Sequence, residues 1–245
     1  MWWHAYSRTE TSSTFFIGTA IVGILNPVVS KFTLVAGVAQ EIYSCPVSKS
    51  HAIVDLSFYK DNQAEDLIVG VALTTESNPA NLTSIDYFID DIELAGIVNT
   101  GELNKVVVGS GERLYIKVMT GPDLVVRLSG IEESNPKVLN AGRLVAASVT
   151  GTTQTQIYDN STANVAYTSC SVTIFNTSPN DNAEVQAWIT SSSTPGTSDK
   201  VIKITIPFTD TTIIENVLLA PGEKVFIQSD KPNTEYFING IVISI

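Results

Sequence analysis

VDLSFYK at residues 54–60 and CSVTIFN at residues 170–176 decide the fold class of this chain. In both stretches apolar and polar side chains alternate, which is the period-2 spacing of a β-strand with one buried face. The alternation recurs at corresponding places in the two halves of the chain, so the sequence predicts the same strand twice. An internal repeat governs the architecture of a whole chain, because each copy folds as the same unit.

Alternating triplets extend the repeat beyond these two stretches. The members of each triplet are two residues apart, which places them on one face of a strand. The matched triplets are Val69, Val71 and Leu73 with Val185, Ala187 and Ile189, and, after a slip of one residue, Ile85, Tyr87 and Ile89 with Ile202, Ile204 and Ile206. Both halves are therefore expected to contain several short strands in the same order.

Glycines mark a turn and the last strand in each half. A Gly-Glu pair occurs at residues 111–112 and again at 222–223, between two alternating runs. A hairpin needs a residue there that tolerates a positive φ. Gly130 and Gly240 lie within the last alternating run of each half, which predicts a bulge or the close approach of another backbone.

The repeat predicts an all-β chain of two tandem antiparallel β-sandwich domains, of jelly-roll or immunoglobulin-like type, with an N-terminal arm. Each unit has about 100 residues and about seven short strands separated by turns, as such sandwiches do. The expected boundaries are 1–32 for an N-terminal arm or added strand, 33–135 for the first sandwich, 136–142 for a linker and 143–245 for the second sandwich. The linker is placed where polar residues meet a proline.

The composition favours a folded, acidic protein. Apolar residues make up 44% of the chain and charged residues 16%, a balance that argues against extensive disorder. The formal net charge is −11, and no stretch gathers Lys and Arg into a basic stripe. Nucleic acid is therefore not an expected partner.

The longest apolar run, residues 15–25, is too short to cross a bilayer, since a spanning helix needs about 20 residues. It also differs from a secretory signal. Trp2, Trp3 and His4 stand where basic residues are expected, and no clear cleavage site follows Leu25. The sequence predicts no membrane partner, and synthesis in the cytoplasm of the cell that makes the protein.

Few side chains are available for catalysis. His4 and His51 are the only histidines, and the sequence contains no nucleophile-elbow, phosphate-loop, zinc-protease or dinucleotide-binding motif. Cys45 and Cys170 allow one disulfide by number, but two buried small apolar residues are the favoured interpretation. We therefore expect no enzymatic activity, no catalytic residues and no cofactor.

Two acidic groups are candidates for cation binding. One consists of Asp86, Asp90, Asp91 and Glu93, and the other is the Glu-Glu pair at 132–133. The spacing of a calcium-binding EF-hand loop is missing. Alternate positions of a half-buried strand are normally polar, so solvated strand faces and loops are the favoured interpretation and no metal site is expected.

Aromatic side chains are concentrated at the N-terminus: Trp2, Trp3, Tyr6, Phe15 and Phe16. Large apolar rings at a chain end need a cover. They either pack back on their own sandwich or form an arm that docks on a neighbouring subunit, where aromatic anchors are common. We predict that these five residues form a partner interface, and that residues 15–25 are an added or swapped strand.

The repeated stretches resemble those of virion structural proteins of tailed phages, such as cyanophages. The matching stretches are Ile42 and Tyr43, residues 54–60, 111–112 and 130–132 in the first half, and Ile157 and Tyr158, residues 170–176, 222–223 and 240–241 in the second. The resemblance implies a capsid decoration or cement protein, or a neck, tail or baseplate component. It also implies a location in the virion and a homo-oligomer, a trimer or ring, that binds other virion proteins.

The sequence departs from the pattern of these proteins in one motif. Their usual Tyr-x-x-Pro-Ala-Gly is shortened to the stretch from Tyr43 to Pro46, and the second half lacks the proline. A different class is also open, a carbohydrate-binding or receptor-binding adhesin module on a fibre. Its expected signature is an exposed aromatic residue, and Trp188, next to Ala187, is predicted to face away from the core.

Overall fold

The structure, a computed structural model, describes residues 26–60, 66–94, 100–149, 151–232 and 234–245, without the side chains of Asp90 and Asp91. The strands of the first half are Asn26–Leu34 (β1), Ala39–Ser44 (β2), His51–Lys60 (β3), Leu67–Thr74 (β4), Tyr87–Leu94 (β5), Thr100–Gly109 (β6), Arg113–Thr120 (β7) and Leu124–Glu133 (β8). Those of the second half are Val138–Val149 (β9), Thr155–Asp159 (β10), Val165–Asn176 (β11), Ala183–Thr190 (β12), Lys200–Ile206 (β13), Thr211–Leu219 (β14), Lys224–Ser229 (β15) and Thr234–Ser244 (β16). Three single-turn 3₁₀ helices cover Pro79–Asn81, Ser84–Asp86 and Thr197–Asp199.

The strands form four sheets of four, and every strand pair is antiparallel. The first half has the orders β1-β8-β3-β6 and β2-β7-β4-β5, and the second half has β9-β16-β11-β14 and β10-β15-β12-β13. Adding eight to each strand number of a sheet in the first half gives the order of the corresponding sheet in the second half. Eight strands in two sheets that both mix early and late strands are the jelly-roll arrangement. The predicted all-β, antiparallel fold class is confirmed, in its jelly-roll form.

Two hydrophobic cores lie between the sheets. The first consists mainly of inward side chains from β1–β8, including the almost fully buried Leu56, Phe58 and Ile116. The second consists of inward side chains from β9–β16, including Ile174 and Val185. We call the two halves the first sandwich (β1–β8) and the second sandwich (β9–β16).

The second sandwich repeats the irregularities of the first. A bulge interrupts β3 after Val54 and β11 after Cys170, in each case opposite the sixth strand of that sandwich. Lys105 on β6 has a φ of 58° and Asn216 on β14 has a φ of 57°. Both lie in the left-handed region that residues with a Cβ rarely adopt. The repeat therefore extends to the backbone conformation of single residues.

One part of the expected alignment is wrong, the match of Ile85, Tyr87 and Ile89 with Ile202, Ile204 and Ile206. Leu94 is the structural equivalent of Ile206, because Leu94 pairs with Leu67 and Ile206 pairs with Ala183 at the starts of β4 and β12. Ile85 lies in a 3₁₀ turn and is 45% exposed. Both segments alternate, so a period-2 pattern alone did not determine their register.

The strands extend beyond the sandwich boundaries that were expected from the sequence. β1 begins at Asn26, within the segment predicted as an arm or added strand, and β9 begins at Val138, within the predicted linker 136–142. Each sandwich has eight strands among the described residues, where about seven were expected. The division into domains at those boundaries stays a prediction.

Gly130 on β8 and Gly240 on β16 occupy equivalent crowded positions. A Cβ built on Gly130 would lie 2.4 Å from the carbonyl oxygen of Ile53, and one on Gly240 would lie 2.4 Å from that of Ser169. Because no Cβ fits at such distances, both strands need glycine here. The predicted close approach of another backbone is confirmed at both places.

Candidate assembly interface and cleft between the two sandwiches

The turn between β6 and β7 carries a buried carboxylate that reaches the second sandwich. Gly111 has a φ of 75°, and Glu112 next to it is 8% exposed. Glu112 Oε2 accepts hydrogen bonds from the backbone nitrogens of Gly109, at 2.8 Å, and of Arg143 on β9, at 3.2 Å. Burial raises the pKa of Glu112, and these two donors and the Arg143 charge oppose the increase. This carboxylate joins the two sandwiches directly.

Arg143 makes a second connection, to the loop before β5. Its guanidinium donates to Asp86 Oδ1 at 2.7 Å, and both side chains are mostly buried. Asp86 Oδ2 in turn accepts from the backbone nitrogen and the hydroxyl of Thr83, both at 2.9 Å. Burial opposes ionisation of Asp86, but the hydrogen bonds from Thr83 and Arg143 outweigh it and hold its pKa below the ordinary value.

An amide side chain and a pair of rings complete the contact. Asn239 on β16 accepts from the backbone nitrogen of Val107 at 2.8 Å and donates to the carbonyl of Val107 at 2.6 Å. The Asn239 side chain thereby satisfies the backbone N–H and C=O groups of Val107 on the edge strand β6, as a neighbouring strand would. The rings of Phe88 and Phe237 lie 5.1 Å apart, and Phe237 belongs to the first core although it lies in the second sandwich. We call these contacts the inter-sandwich interface.

A cleft of about 360 Å³ opens beside this interface. Ile53 and Val107 line it from the first sandwich, and Ile213 and Ile241 line it from the second. Ile53 and Ile213 are 38% and 37% exposed. The charged residues at its wall are Lys105, which itself has a positive φ, and Glu215, which precedes the positive-φ residue Asn216. The cleft is therefore mainly apolar, with a polar margin.

An apolar row leads along the first sandwich to this cleft. Pro27 on β1 lies opposite Ile131 on β8, which lies opposite Ile53 on β3, which lies opposite Val107 on β6. Ile131 is 46% exposed. Directly opposed residues lie on the same face of a sheet, so these side chains form one continuous apolar row from the start of β1 to the cleft.

Two sheet edges carry exposed aliphatic side chains. The sheets that meet at the interface have β6 and β9 at their inner edges and β1 and β14 at their outer edges. Val29 on β1 is 66% exposed and Leu218 on β14 is 65% exposed. Lys31 is the only basic residue on these two strands, although basic side chains are a common protection of free edges.

Burial is the main cause of the pKa shifts of Cys45, Cys170, His51 and Tyr43. Burial raises the pKa of Cys45 to about 11 and that of Cys170 to about 12, so neither thiol is ready to react. Both are free and buried, which confirms the interpretation as small apolar residues. Burial lowers the pKa of His51, which Glu133 opposes from 3.6 Å. Tyr43 donates to Glu132 at 2.9 Å, and burial raises its pKa.

The five aromatic residues predicted as a partner interface, Trp2, Trp3, Tyr6, Phe15 and Phe16, lie outside the described residues, and so does His4. Of the predicted acidic groups, Asp86 and the two glutamates at 132–133 are engaged with Arg143, Tyr43 and His51. In the described ranges no three His, Cys, Asp or Glu side chains are grouped as metal ligands would be. The described chain also has no helical segment with the length and hydrophobicity needed to traverse a bilayer.

Trp188 lies opposite Phe226 on β15, on the face away from Ala187 and the second core, as predicted, but the expected exposure of its ring is wrong. Trp188 is 6% exposed, and Lys200 Nζ lies 5.3 Å from its ring centroid. The register shift beside Trp188 places the extra residue, Val201, on β13, so β12 keeps its alternation and Trp188 is buried on the outer face of the sheet. Trp188 therefore does not offer the exposed ring that a sugar-binding face would need.

Sequence reasoning did not find Arg143, Asn239 or Phe88. Each is a single residue within or beside a strand and belongs to no motif. Glu112 was noticed as part of a turn, but its partners on β9 come from a different sandwich. The one available signal was that Arg143 is the only charged residue of its strand, β9, which by itself names no partner.

Comparison with known proteins identifies no family. No family model and no curated protein matches the chain. Among solved structures it is similar to a chain in the atomic structure of Sulfolobus Turreted Icosahedral Virus, with 12% identity, a TM-score of 0.31 and coverage of 98% of this chain and 100% of that one. It is also similar to a chain of Broad Bean Stain Virus, with 7% identity, a TM-score of 0.35 and coverage of 89% and 88%.

A third similar structure is the N-terminal CBM22-1-CBM22-2 tandem domain from Paenibacillus barcinonensis Xyn10C. The identity is 5%, the TM-score is 0.26, and the match covers 90% of this chain and 92% of that one. At such TM-scores these likenesses carry no argument about this protein. Its fold rests on its own strand pairing, and its function must be inferred from its own surfaces.

Proposed function

We propose that this chain is a non-enzymatic virion structural protein that assembles with copies of itself and with other particle proteins. The observation that carries the proposal is the pair of outer edges, β1 and β14, with Val29 and Leu218 exposed on them. Strand edges that pair with no other described strand, and that carry apolar side chains and little basic protection, favour pairing with another chain.

The inter-sandwich interface supports the same role. Glu112, Arg143, Asp86 and Asn239 hold the two sandwiches together by hydrogen bonds whose groups are largely buried. Such contacts are costly to break, since each leaves a buried polar group without a partner. A single chain thus offers two similar modules in a defined relation, which multiplies weak contacts on a lattice.

The finer assignment extends the resemblance to tailed phages. In it, the protein is a capsid decoration or cement protein, or a component of the neck, tail or baseplate, and forms a trimer or ring in the virion. Its partners are virion proteins and neither nucleic acid nor membrane. Copurification of the protein with particles from infected cells would support this assignment, and absence from purified particles would contradict it.

The edge contribution is tested by placing lysines on both edges. We expect the wild-type protein to be oligomeric and the variant Val29→Lys with Leu218→Lys to be monomeric, because a charged side chain on an edge disfavours strand addition. The matched control is Val47→Lys, which changes a residue that is 84% exposed but lies in a loop. Light scattering gives the masses, and a monomeric wild type would contradict the proposal.

The arm contribution is tested by deleting residues 1–14, which include Trp2, Trp3 and Tyr6. If these residues form a partner interface, the oligomer mass falls while the melting temperature of the monomer is unchanged. An unchanged mass would remove the arm from the proposal and leave the edges. Substituting Phe15 and Phe16 by serine in the full-length chain extends the test to the last two of the five aromatic residues.

A further inference from the structure

We propose that the apolar cleft between the two sandwiches is the binding site for residues 17–25 of the same chain. The inference is independent of the assembly role, because it concerns a contact within one subunit. It leaves residues 1–16, with the five aromatic side chains, outside the cleft and available to partners.

The position of β1 is the first argument. β1 begins at Asn26. Its second residue, Pro27, starts the apolar row that ends at the cleft. Neighbouring strands lie about 4.8 Å apart, so Ile53 at the cleft is about 10 Å from Pro27. A chain of nine residues spans up to about 30 Å when extended. Residues 17–25 are thus long enough to pass over the row and enter the cleft.

Chemical complementarity is the second argument. Residues 17–25 read IGTAIVGIL and contain no charged side chain. The row and the cleft offer Ile131, Ile53, Ile213 and Ile241, all partly exposed. Burying aliphatic surface on both sides is favourable by about 25 cal/mol per Å². The cleft volume of about 360 Å³ lies in the range of sites that enclose small apolar ligands.

Tethering decides between this chain and a second copy as the source of the segment. A short link to β1 gives the segment an effective concentration in the millimolar range at its own cleft. A segment from another copy competes only at comparable protein concentrations. The same-chain contact is therefore favoured in dilute solution.

Cysteine cross-linking tests the contact directly in the full-length protein. One cysteine replaces Ile17, Ile21 or Ile24, and the second replaces Ile241 in the cleft; both series carry Cys170→Ala, because Cys170 lines the same cleft. The control series uses Val201→Cys, which is 52% exposed on β13 and does not line the cleft. We expect mild oxidation to form a disulfide with at least one position in the Ile241 series, at unchanged monomer mass, and none in the Val201 series.

Two outcomes would overturn the proposal. Cross-linking that doubles the mass would assign the cleft to a second copy of the segment. Equal yields in the Ile241 and Val201 series, or no disulfide at any of the three positions, would show that the segment does not occupy the cleft. Neither outcome bears on whether the edges β1 and β14 mediate assembly, so the two proposals fail separately.

A double-mutant cycle, measured by thermal unfolding, gives an independent test of the contact. Ile213→Asp places a charge in the cleft, and Val201→Asp places one on β13, which does not line the cleft. We expect Ile213→Asp to lower the melting temperature of the full-length chain by several degrees, roughly 3 °C or more, beyond its effect in a chain that lacks residues 1–25. Val201→Asp should have the same effect in both chains. Equal effects of Ile213→Asp in both chains would overturn the proposal.

Discussion

The two sandwiches contain the same turn, but only one of the two turns is part of an interface. Glu112 Oε2 accepts from the backbone nitrogen of Gly109 at 2.8 Å, and Glu223 Oε2 accepts from that of Ala220 at 2.7 Å. Glu112 also accepts from Arg143 of the second sandwich and is buried, whereas Glu223 remains partly exposed. The local hydrogen bond is a property of the turn, and its role depends on what packs against it.

A second pair of equivalent residues shows the same division. Lys60 and Asn176 end β3 and β11, and both are fully buried. Lys60 Nζ donates to the carbonyl of Leu94 at 2.6 Å, and Asn176 Nδ2 donates to that of Ile206 at 3.2 Å. Two different side chains thus satisfy equivalent carbonyl groups, which the shared backbone leaves in need of a donor.

The largest expected effect tests whether the two copies are equivalent. Gly130→Ala and Gly240→Ala each force a Cβ against a backbone oxygen, which should lower the free energy of unfolding by about 3 kcal/mol. Urea denaturation of each variant gives the value. The matched control is Gly151→Ala, whose Cβ would meet no atom closer than 3.9 Å. A large loss for one glycine and none for the other would break the equivalence of the repeats.

The second expected effect separates the two turns. Glu112→Ala removes the acceptor of two backbone donors, one from each sandwich, and should lower the free energy of unfolding by about 2 kcal/mol. Glu223→Ala removes one partly exposed hydrogen bond and should cost about 0.5–1 kcal/mol. Equal losses in urea denaturation would show that the contact with Arg143 adds nothing to stability.

A pH dependence should distinguish His51 from its equivalent, the exposed Tyr167. Burial lowers the pKa of His51, so the folded state prefers the neutral ring. Its stabilising contribution is complete above the unfolded pKa of about 6.5 and is lost as the pH falls through the lowered folded value. We expect wild type to lose more stability than His51→Gln between pH 7.5 and pH 5 in urea titrations. His4→Gln is the control, and parallel pH profiles for wild type and His51→Gln would contradict the assignment.

The smallest expected effect concerns Trp188, whose equivalent in the first sandwich is Ala72. Lys200→Ala removes the ammonium group from above the indole ring and should cost about 0.5 kcal/mol. With Trp2 and Trp3 replaced by Phe, the fluorescence of Trp188 should shift to longer wavelength as its ring becomes more exposed. Lys203→Ala, on the same strand but away from the ring, is the control; an identical shift there would reject the contact.

The sequence by itself determined the fold class, the repeat and the two Gly-Glu turns. These depend on period-2 alternation and on positive φ at Gly111 and Gly222, which are local properties. It also indicated the crowded glycines Gly130 and Gly240, because a glycine inside an apolar strand has few other reasons to occur.

Only the tertiary structure decided the rest. It placed β1 in the sheet, matched Leu94 with Ile206, buried Trp188 and joined Glu112 to Arg143. Register across an alternating strand, a bulge in the pairing and a contact between two sandwiches all depend on residues that are distant in the sequence. The inter-sandwich interface and its cleft arise from the docking of two similar modules, and no local pattern in either module encodes that docking.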